Sequence, residues 1–266
     1  MQPYVPGSQR RRRFRNIRIK LYIISGAVLL ALIGGVYLIR ETGLFKIRSI
    51  EVIHIPEPKA AELLAMVKSE VLRGAGASFL GADNYLAWPS SVPFPKISYV
   101  SVYIEKHLIT RTIAVGAELR EPFAIWCRGN EDEAVHCAWV DRKDGIVLKP
   151  AVPTEGQIIP AVYDEDAFGD FPLGEPAIKP EFYPFVRSII EAMPKLQIAV
   201  SRFSINRTLE EFTVGASDGA SLVFSLRFDP NVSLAAVKKI LEETPLTKIR
   251  RLDLTVPNKI YLTKRG

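Results

Sequence analysis

The chain has 266 residues, 48% of them hydrophobic and 24% charged, which is ordinary for a folded protein with one large core or two modest ones. The formal net charge of +6 is local. Without Arg40 and the seven basic residues of the first 20, 27 basic residues face 29 acidic ones. The remainder of the chain therefore gives no electrostatic reason to expect nucleic acid as a partner.

The basic N-terminal run precedes an uncharged segment. Residues 1–20 carry no acidic side chain, and residues 21–39 are 19 consecutive residues without a charge. A helix of that length spans roughly 30 Å, the thickness of the hydrocarbon core of a bilayer. Flanking cations hold their end of such a helix in the cytoplasm. We therefore predict a basic cytoplasmic tail over 1–20, a transmembrane helix over 21–39, and an extracytoplasmic location for 41–266.

Three other interpretations of this N-terminus are weaker. A cleaved signal peptide has a shorter apolar region and a small-residue cleavage site, and large side chains follow here. A buried helix of a soluble protein would be amphipathic, and this segment is not. A basic arm for nucleic acid would not need an apolar span directly after it. The membrane anchor accounts for both features together.

The next block, 45–121, predicts strand, helix, helix, strand and strand. Residues 45–55 are rich in β-branched side chains, with Ile50 and Val52 on one face and a bulge after Phe45 and Ile47. A helix follows between Pro58 and Gly74. Its apolar stripe consists of Ala60, Leu63, Leu64, Val67 and Val71.

The second half of this block completes a small sheet. A glycine-containing connection leads to a short second helix within 82–88 that ends at Pro89. Residues 97–108 and 111–119 alternate between apolar and polar side chains, as strands do. The sum is a pair of helices on a three-stranded sheet.

From Pro122 onward, short alternating runs separated by turn signals predict mostly strands. The dipeptides Asp144-Gly145 and Asp218-Gly219 each lie between two apolar runs, which is typical of β-hairpins. Proline-rich turns fill 150–180. The chain closes with two short runs on either side of Pro257-Asn258. A largely antiparallel sheet is the expected result.

Two helices are predicted to flank this sheet. The first covers 180–195. The second covers 232–243, starts after Asn231, and has its apolar side chains on one side. Those side chains are Leu234, Val237, Ile240 and Leu241.

The order of these segments resembles the bacterial cell-division family FtsQ/DivIB, with a basic tail, one membrane span, a POTRA domain and a mixed β domain. Three stretches carry the resemblance. Residues 45–52 are similar to the opening POTRA strand. Residues 112–150 are similar to a strand ending in Glu-Arg-x-Pro, an apolar-aromatic segment and a hairpin with Asp and Gly. Residues 219–262 are similar to the closing strand, helix and final hairpin.

Three positions depart from the family pattern. Arg120 and Glu121 stand in inverted order before Pro122. His54 begins a stretch where the family often has glycine, and Thr255 replaces an arginine of the last hairpin.

The resemblance implies a scaffold without enzymatic activity. Proteins of this family bind FtsB and FtsL outside the membrane, partly by adding a partner strand to the edge formed by the last strand. An edge strand has a free row of N–H and C=O groups that an extended peptide can pair with. The expected contact residues are Lys259, Ile260, Tyr261, Leu262, Val237 and Leu241. Tyr261 is the expected anchor.

The two cysteines, Cys127 and Cys137, are expected to form a disulfide. If Asp144-Gly145 turns one hairpin, residues 136–141 should also pair back with 123–128. The two cysteines then face each other at a separation that a disulfide tolerates. An extracytoplasmic location permits their oxidation.

Other roles for the cysteines stay open but are less favoured. Two buried free thiols are one alternative. Zinc needs more ligands than the cysteines and His136 supply, and neighbouring residues of a strand point to opposite faces. The same geometry argues against a Cys–His nucleophile.

The remaining polar residues predict no catalytic or metal site. His54 and His107 are far apart and each lies in a predicted strand. The acidic residues 131–133 are interpreted as a solvated loop, and 164–166 as a surface turn rather than a cation site. No phosphate-binding, hydrolase or zinc-protease motif is present in the sequence. We expect no cofactor, no metal and no small-molecule substrate.

The sequence thus predicts an α+β protein of the inner membrane, and the resemblance implies a location at the division septum. Its segments are a tail over 1–20, a transmembrane helix over 21–39, a POTRA domain over 45–121 and a β domain over 122–266. The alternatives are a POTRA-bearing translocation or assembly component that handles unfolded polypeptide, and a membrane-anchored enzyme.

Overall fold

The structure is a computed structural model that describes residues 7–41, 43–129, 136–152, 159–167 and 169–266. It separates into two compact units. The first consists of Met1–Phe94 and Ser101–Ala117, and the second of Pro95–Val100 and Glu118–Gly266. The division falls within two strands, between Val100 and Ser101 and between Ala117 and Glu118.

Helix α1, Gly7–Glu41, is the long N-terminal helix. Its part Lys20–Glu41 has a mean hydropathy of 2.3, and it is the one helix in the described part of the chain long and apolar enough to cross a membrane. The helix begins well before the predicted residue 21. Arginine and lysine are good helix formers, so the basic run continues the helix instead of ending it.

A three-stranded sheet and two helices, in the predicted order, lie mostly in the first unit. Their bounds are β1 Ser49–Ile53, α2 Lys59–Arg73, α3 Ala75–Leu80, β2 Tyr99–His107 and β3 Thr112–Leu119. The strand order is β1-β3-β2, and β1 runs parallel to β3. Helix α2 buries the predicted stripe except Leu64, which is half-buried.

The predicted second helix was misplaced. Residues 82–88 form only one 3-10 turn, Tyr85–Ala87, whereas α3 occupies the stretch that the sequence left as a connection. A Cβ at Gly76 would lie 3.0 Å from the carbonyl oxygen of Ala87, so glycine lets α3 pack directly on that turn. Gly81, with φ of +92°, ends the helix in a conformation that glycine adopts without strain.

The predicted bulge in the first strand is also absent. Phe45 belongs to a 3-10 turn, Gly43–Phe45, and β1 begins four residues later at Ser49.

The second unit is built on one nine-stranded sheet. Its strands are β4 Pro122–Arg128, β5 His136–Asp141, β6 Val147–Ala151, β7 Ala161–Asp164, β8 Val200–Asn206, β9 Glu211–Ala216, β10 Ser221–Ser225, β11 Ile249–Leu254 and β12 Tyr261–Lys264. Their order across the sheet is β12-β11-β10-β9-β8-β7-β4-β5-β6. Both Asp-Gly hairpins are present, between β5 and β6 and between β9 and β10.

The sheet is mostly antiparallel, with three parallel pairs. Strand β7 pairs in parallel with β4 and β8, and β10 pairs in parallel with β11. The sequence did not predict β7, because its four residues lie inside the proline-rich region and pair with strands distant in the chain.

Two helices cover one face of this sheet. They are α4, Tyr183–Lys195, and α5, Asn231–Glu243, close to the predicted ranges. Side chains from α4, α5 and the strands form one core that includes Trp126, Phe212 and Phe224. The helices fix which face of each strand is buried.

Candidate functional site at the C-terminal sheet edge

Strand β12 is the last strand on one side of the nine-stranded sheet, paired with β11 alone. All four of its residues are exposed. Within the described part of the chain, no strand pairs with its outer side. We call the outer side of Tyr261–Lys264 the β12 edge.

The backbone groups that face outward at the β12 edge follow from its register. The N–H of Arg265, directly after the strand, donates to the carbonyl of the residue that precedes β11, with an N–O distance of 2.9 Å. Alternate residues of a strand direct their backbone groups to opposite sides. Thr263 and Tyr261 therefore also face β11, and Leu262 and Lys264 present their N–H and C=O groups outward.

The opposite edge of the same sheet is closed by the chain itself. The N–H of Val147 in β6 donates to the carbonyl of Glu175 at 2.8 Å, and the N–H of Gly174 donates back to the carbonyl of Val147 at 2.9 Å. Further along β6, Pro150 has no N–H to offer. The β12 edge is thus the side of the sheet on which a peptide can add.

Side chains at the β12 edge lie on both faces of the sheet. Leu262 is paired with Leu252, and paired residues share a face. Leu252 lies in the core beneath α5, so Leu262 lies on the helical face. Tyr261 is paired with Asp253 and lies on the opposite face, with 54% of its surface exposed.

The predicted contact residues are only partly brought together. Tyr261 and Leu262 lie in β12, but Lys259 and Ile260 precede it. Asn258, with φ of +60°, and the hydrogen bond from the N–H of Lys259 to the carbonyl of Val256 form the turn that delays the strand. Thr263 and Lys264 were not among the contact residues predicted from the sequence. The turn signal at Pro257-Asn258 could have indicated that the strand starts later and includes them.

The prediction that Val237 contacts a partner is wrong for this structure. Its side chain is 0% exposed and packs in the core under the sheet. Leu241, on the same helix, is half-buried against that core. Both side chains face inward because the apolar stripe of α5 is the surface that binds the helix to its own sheet.

The C-terminal region around the β12 edge is basic. Between residues 244 and 266 there are six basic residues and one acidic residue, Asp253. Burial disfavours the ionised form of Asp253, but hydrogen bonds from Thr255 and the guanidinium of Arg251 outweigh it and lower the pKa of that carboxyl. Asp253 is therefore ionised at neutral pH and neutralised by Arg251, so the net positive charge of this region comes from the other five basic residues, Lys248, Arg250, Lys259, Lys264 and Arg265.

Cys127 and Cys137 are bonded to each other, and they are opposite each other in the β4–β5 pair, as the register argument predicted. Both side chains are buried, in a small cluster with Ile125 and Tyr163. The sulfurs are therefore not metal ligands or nucleophiles in this structure. The disulfide has a structural role, because it joins β4 to β5.

A buried ion-pair cluster lies where β4 begins and β5 ends. The guanidinium of Arg120 donates to Asp141 at 2.9 Å and to both carboxylate oxygens of Asp144, at 2.5 and 3.1 Å. The other oxygen of Asp141 accepts the N–H of Glu121 at 3.0 Å. Sequence reasoning treated Arg120 only as a departure from a family motif, since nothing local indicates a partner 21 residues away.

The acidic residues Asp164 and Glu165, which the sequence placed in a surface turn, pair with other side chains of the fold. Asp164 is buried and accepts from Trp126 and Arg207, and Glu165 pairs with Arg202. No group of three or more His, Cys, Asp or Glu side chains within the described ranges could hold a metal ion.

Each of the three histidines lies close to a polar side chain. His54 lies 3.1 Å from the hydroxyl of Tyr103, His107 lies near Glu105, and His136 pairs with Asp170. The acidic residues 131–133 lie outside the described residues.

No protein-family model matches the chain, and no curated protein matches it. The structure itself defines a class: an α+β chain with an N-terminal helix able to cross a membrane and an open sheet edge able to pair with an extended peptide.

Proposed function

We propose that this chain is a membrane-anchored, non-enzymatic scaffold of bacterial cell division of the FtsQ/DivIB type, with residues 41–266 outside the membrane. In this proposal residues 45–121 form a POTRA domain. The second unit binds extracytoplasmic segments of FtsB- and FtsL-type proteins. The arrangement of a basic tail, an apolar helix and a helix pair on a three-stranded sheet supports the assignment.

The observation that carries the proposal is the open β12 edge. Leu262 and Lys264 direct backbone groups outward, while the other edge of the sheet is occupied by the segment around Glu175. A partner strand that pairs with Leu262 and Lys264 extends the sheet by one strand. Each new backbone hydrogen bond contributes about 1 kcal/mol net.

The charge of the β12 edge narrows the partner chemistry. Lys259, Lys264 and Arg265 are exposed, so acidic side chains on the added strand are favoured. The apolar positions of that strand would contact Leu262 on one face and Tyr261 on the other. The expected partner segment is extended and combines apolar with acidic residues.

The test removes one outward N–H and keeps the fold. Lys264→Pro deletes the outward N–H at an edge position, where proline is tolerated. Lys264→Ala removes the same charge and keeps that N–H, and is the matched control. The full-length variants are purified from membranes, and the co-purifying FtsB- and FtsL-type proteins are quantified.

We expect Lys264→Pro to weaken partner binding by about tenfold, roughly 1.4 kcal/mol, beyond the effect of Lys264→Ala. Circular dichroism and thermal melting should be the same for both variants. Equal partner recovery with both variants would remove the β12 edge from the binding site.

A further inference from the structure

The turn between β2 and β3 exposes two large apolar side chains in succession. Leu108 is 58% exposed and Ile109 is 98% exposed. Neither belongs to a strand, and neither is part of the two hydrophobic clusters that the described residues form. Adjacent exposed apolar residues at the tip of a turn are costly in water and indicate a surface that contacts something apolar.

This turn lies beside the end of α1. The guanidinium of Arg111, at the end of the turn, donates to the carbonyl oxygen of Gly43 at 2.6 Å. The N–H of Arg48 donates to the carbonyl of Arg111 at 2.9 Å. Gly43 is only two residues beyond the last residue of α1, Glu41.

The parallel register of the three-stranded sheet explains why the turn lies there. Ser49, the first residue of β1, is paired with Thr112, the first residue of β3. The chain therefore leaves α1, enters β1 and runs away from the helix end, while the β2–β3 turn sits at the starting end of both strands. Ile109 precedes Thr112 by three residues, so it lies within about 10 Å of this end.

A second contact ties α1 to the same unit. The side-chain amide of Asn84 donates to the carbonyl oxygen of Ile39 at 3.2 Å, and Asn84 also forms a β-bridge with Lys46. Ile39 is in the last turn of α1 and Lys46 is at the entry to β1. The helix end, the entry to β1 and the β2–β3 turn are therefore neighbours within one compact unit.

The residues around the turn also carry the charge that a lipid surface attracts. Arg40, Lys46, Arg48 and Arg111 all lie at this end of the unit, at positions that the structure describes as exposed or half-buried. Basic residues close to a membrane are attracted to anionic headgroups. Apolar side chains flanked by cations are the pattern of segments that insert into the interfacial layer.

We propose that the β2–β3 turn is a second membrane contact: Leu108 and Ile109 insert into the interfacial layer of the bilayer that α1 crosses. The proposal rests on α1 spanning the membrane and is independent of the β12 edge. The interfacial layer is about 5–8 Å deep on each side of the hydrocarbon core, which matches the reach of two side chains at a turn. This contact would fix the first unit against the lipid surface instead of leaving it on a free tether.

The two native cysteines are bonded to each other, so a cysteine introduced by mutation is the single free thiol that can be labelled. Ile109→Cys in the full chain is labelled with an environment-sensitive fluorophore. The protein is reconstituted into vesicles of three parts phosphatidylcholine and one part phosphatidylglycerol. Leu209→Cys, at an exposed position of the second unit, is the control in the aqueous phase, and Leu30→Cys in α1 is the control within the membrane.

We expect the label at position 109 to shift to shorter wavelength. Its fluorescence should also fall about twofold when lipids with a nitroxide near the headgroup are included. Both changes are expected because the probe lies inside the interfacial layer. The label at position 209 should not change. Emission at position 109 that matches position 209 would overturn the proposal and leave the turn as a site for a protein partner. Emission at position 30 that matches the aqueous emission at position 209 would overturn both the membrane span and this contact.

Discussion

The two edges of the nine-stranded sheet differ in what stands beside them. At β6, the segment around Glu175 pairs with the strand, and Pro150 removes a donor. The neighbouring strands β4 and β5 are joined by the Cys127–Cys137 disulfide. At β12, Leu262 and Lys264 direct their backbone groups outward. One edge of the sheet is thus closed by the chain, and the other has backbone groups with which an added strand could pair.

This contrast predicts that changes near β6 alter stability, whereas changes at β12 alter partner binding. Both quantities can be measured on the same full-length variants, by thermal or denaturant unfolding and by recovery of the proposed FtsB- and FtsL-type partners.

The largest effect is expected for Asp141→Ala. It leaves the buried guanidinium of Arg120 without its closest buried carboxylate, and it removes the acceptor for the N–H of Glu121. Breaking a buried pair from one side costs about 3–5 kcal/mol. Chemical denaturation should show this loss, whereas Asp170→Ala, with a side chain 89% exposed, should change the stability by less than about 1 kcal/mol. Equal stability of the two variants would contradict a structural role for the cluster.

The next effect is expected for the double variant Cys127→Ser and Cys137→Ser. The disulfide closes a short loop with a sequence separation of 10, so its removal should cost about 2–3 kcal/mol. Reduced wild-type protein should melt at the temperature of the double variant. Partner recovery at low temperature should stay unchanged, and a loss of partner with intact folding would move the binding site away from β12.

A smaller effect, confined to binding, is expected for Tyr261→Ala. Tyr261 is exposed, so its removal should leave thermal melting unchanged. An aromatic anchor next to an added strand contributes about 1–2 kcal/mol, which is roughly tenfold in affinity. Thr263→Ala, on the same face of β12, is the matched control and should bind nearly as the wild type does. Unchanged affinity of Tyr261→Ala would show that the anchor lies elsewhere.

The smallest effect is a pH dependence. Burial disfavours ionised Asp144, but the hydrogen bonds and charge of Arg120 outweigh it, so the pKa of Asp144 lies below its ordinary value. A carboxyl with a lowered pKa stabilises the fold above its unfolded pKa, about 3.9, and this stabilisation is lost as pH falls through the folded pKa. The melting temperature of the wild type should therefore fall more steeply below about pH 4 than that of Asp144→Asn. Parallel curves for the two proteins would contradict the assignment.

Local patterns in the sequence predicted much of the fold. The stripe of α2, the range of α5 and the Asp-Gly hairpins follow from periodicity and turn chemistry, which depend on residues close in the chain. The opposition of Cys127 and Cys137 followed from one hairpin and its register. These features needed no information about distant segments.

Features that depend on distant segments could not be predicted. Strand β7 has four residues and gains its place from parallel pairing with β4 and β8. The fold brings Arg120 next to Asp141, and no local sequence pattern indicates that the two residues form a pair. Val237 shows a related limit, because helical periodicity identifies an apolar face but does not tell whether that face meets the core or a partner.

The most direct test of the central claim measures hydrogen exchange at single backbone amides of β12, with and without the extracytoplasmic segment of an FtsB-type partner. In the free protein, the amide of Thr263 should be protected by β11, and those of Leu262 and Lys264 should exchange rapidly. Partner binding should slow exchange at Leu262 and Lys264 and change Thr263 little. If the partner binds and those two outward amides stay unprotected, strand addition at the β12 edge is contradicted.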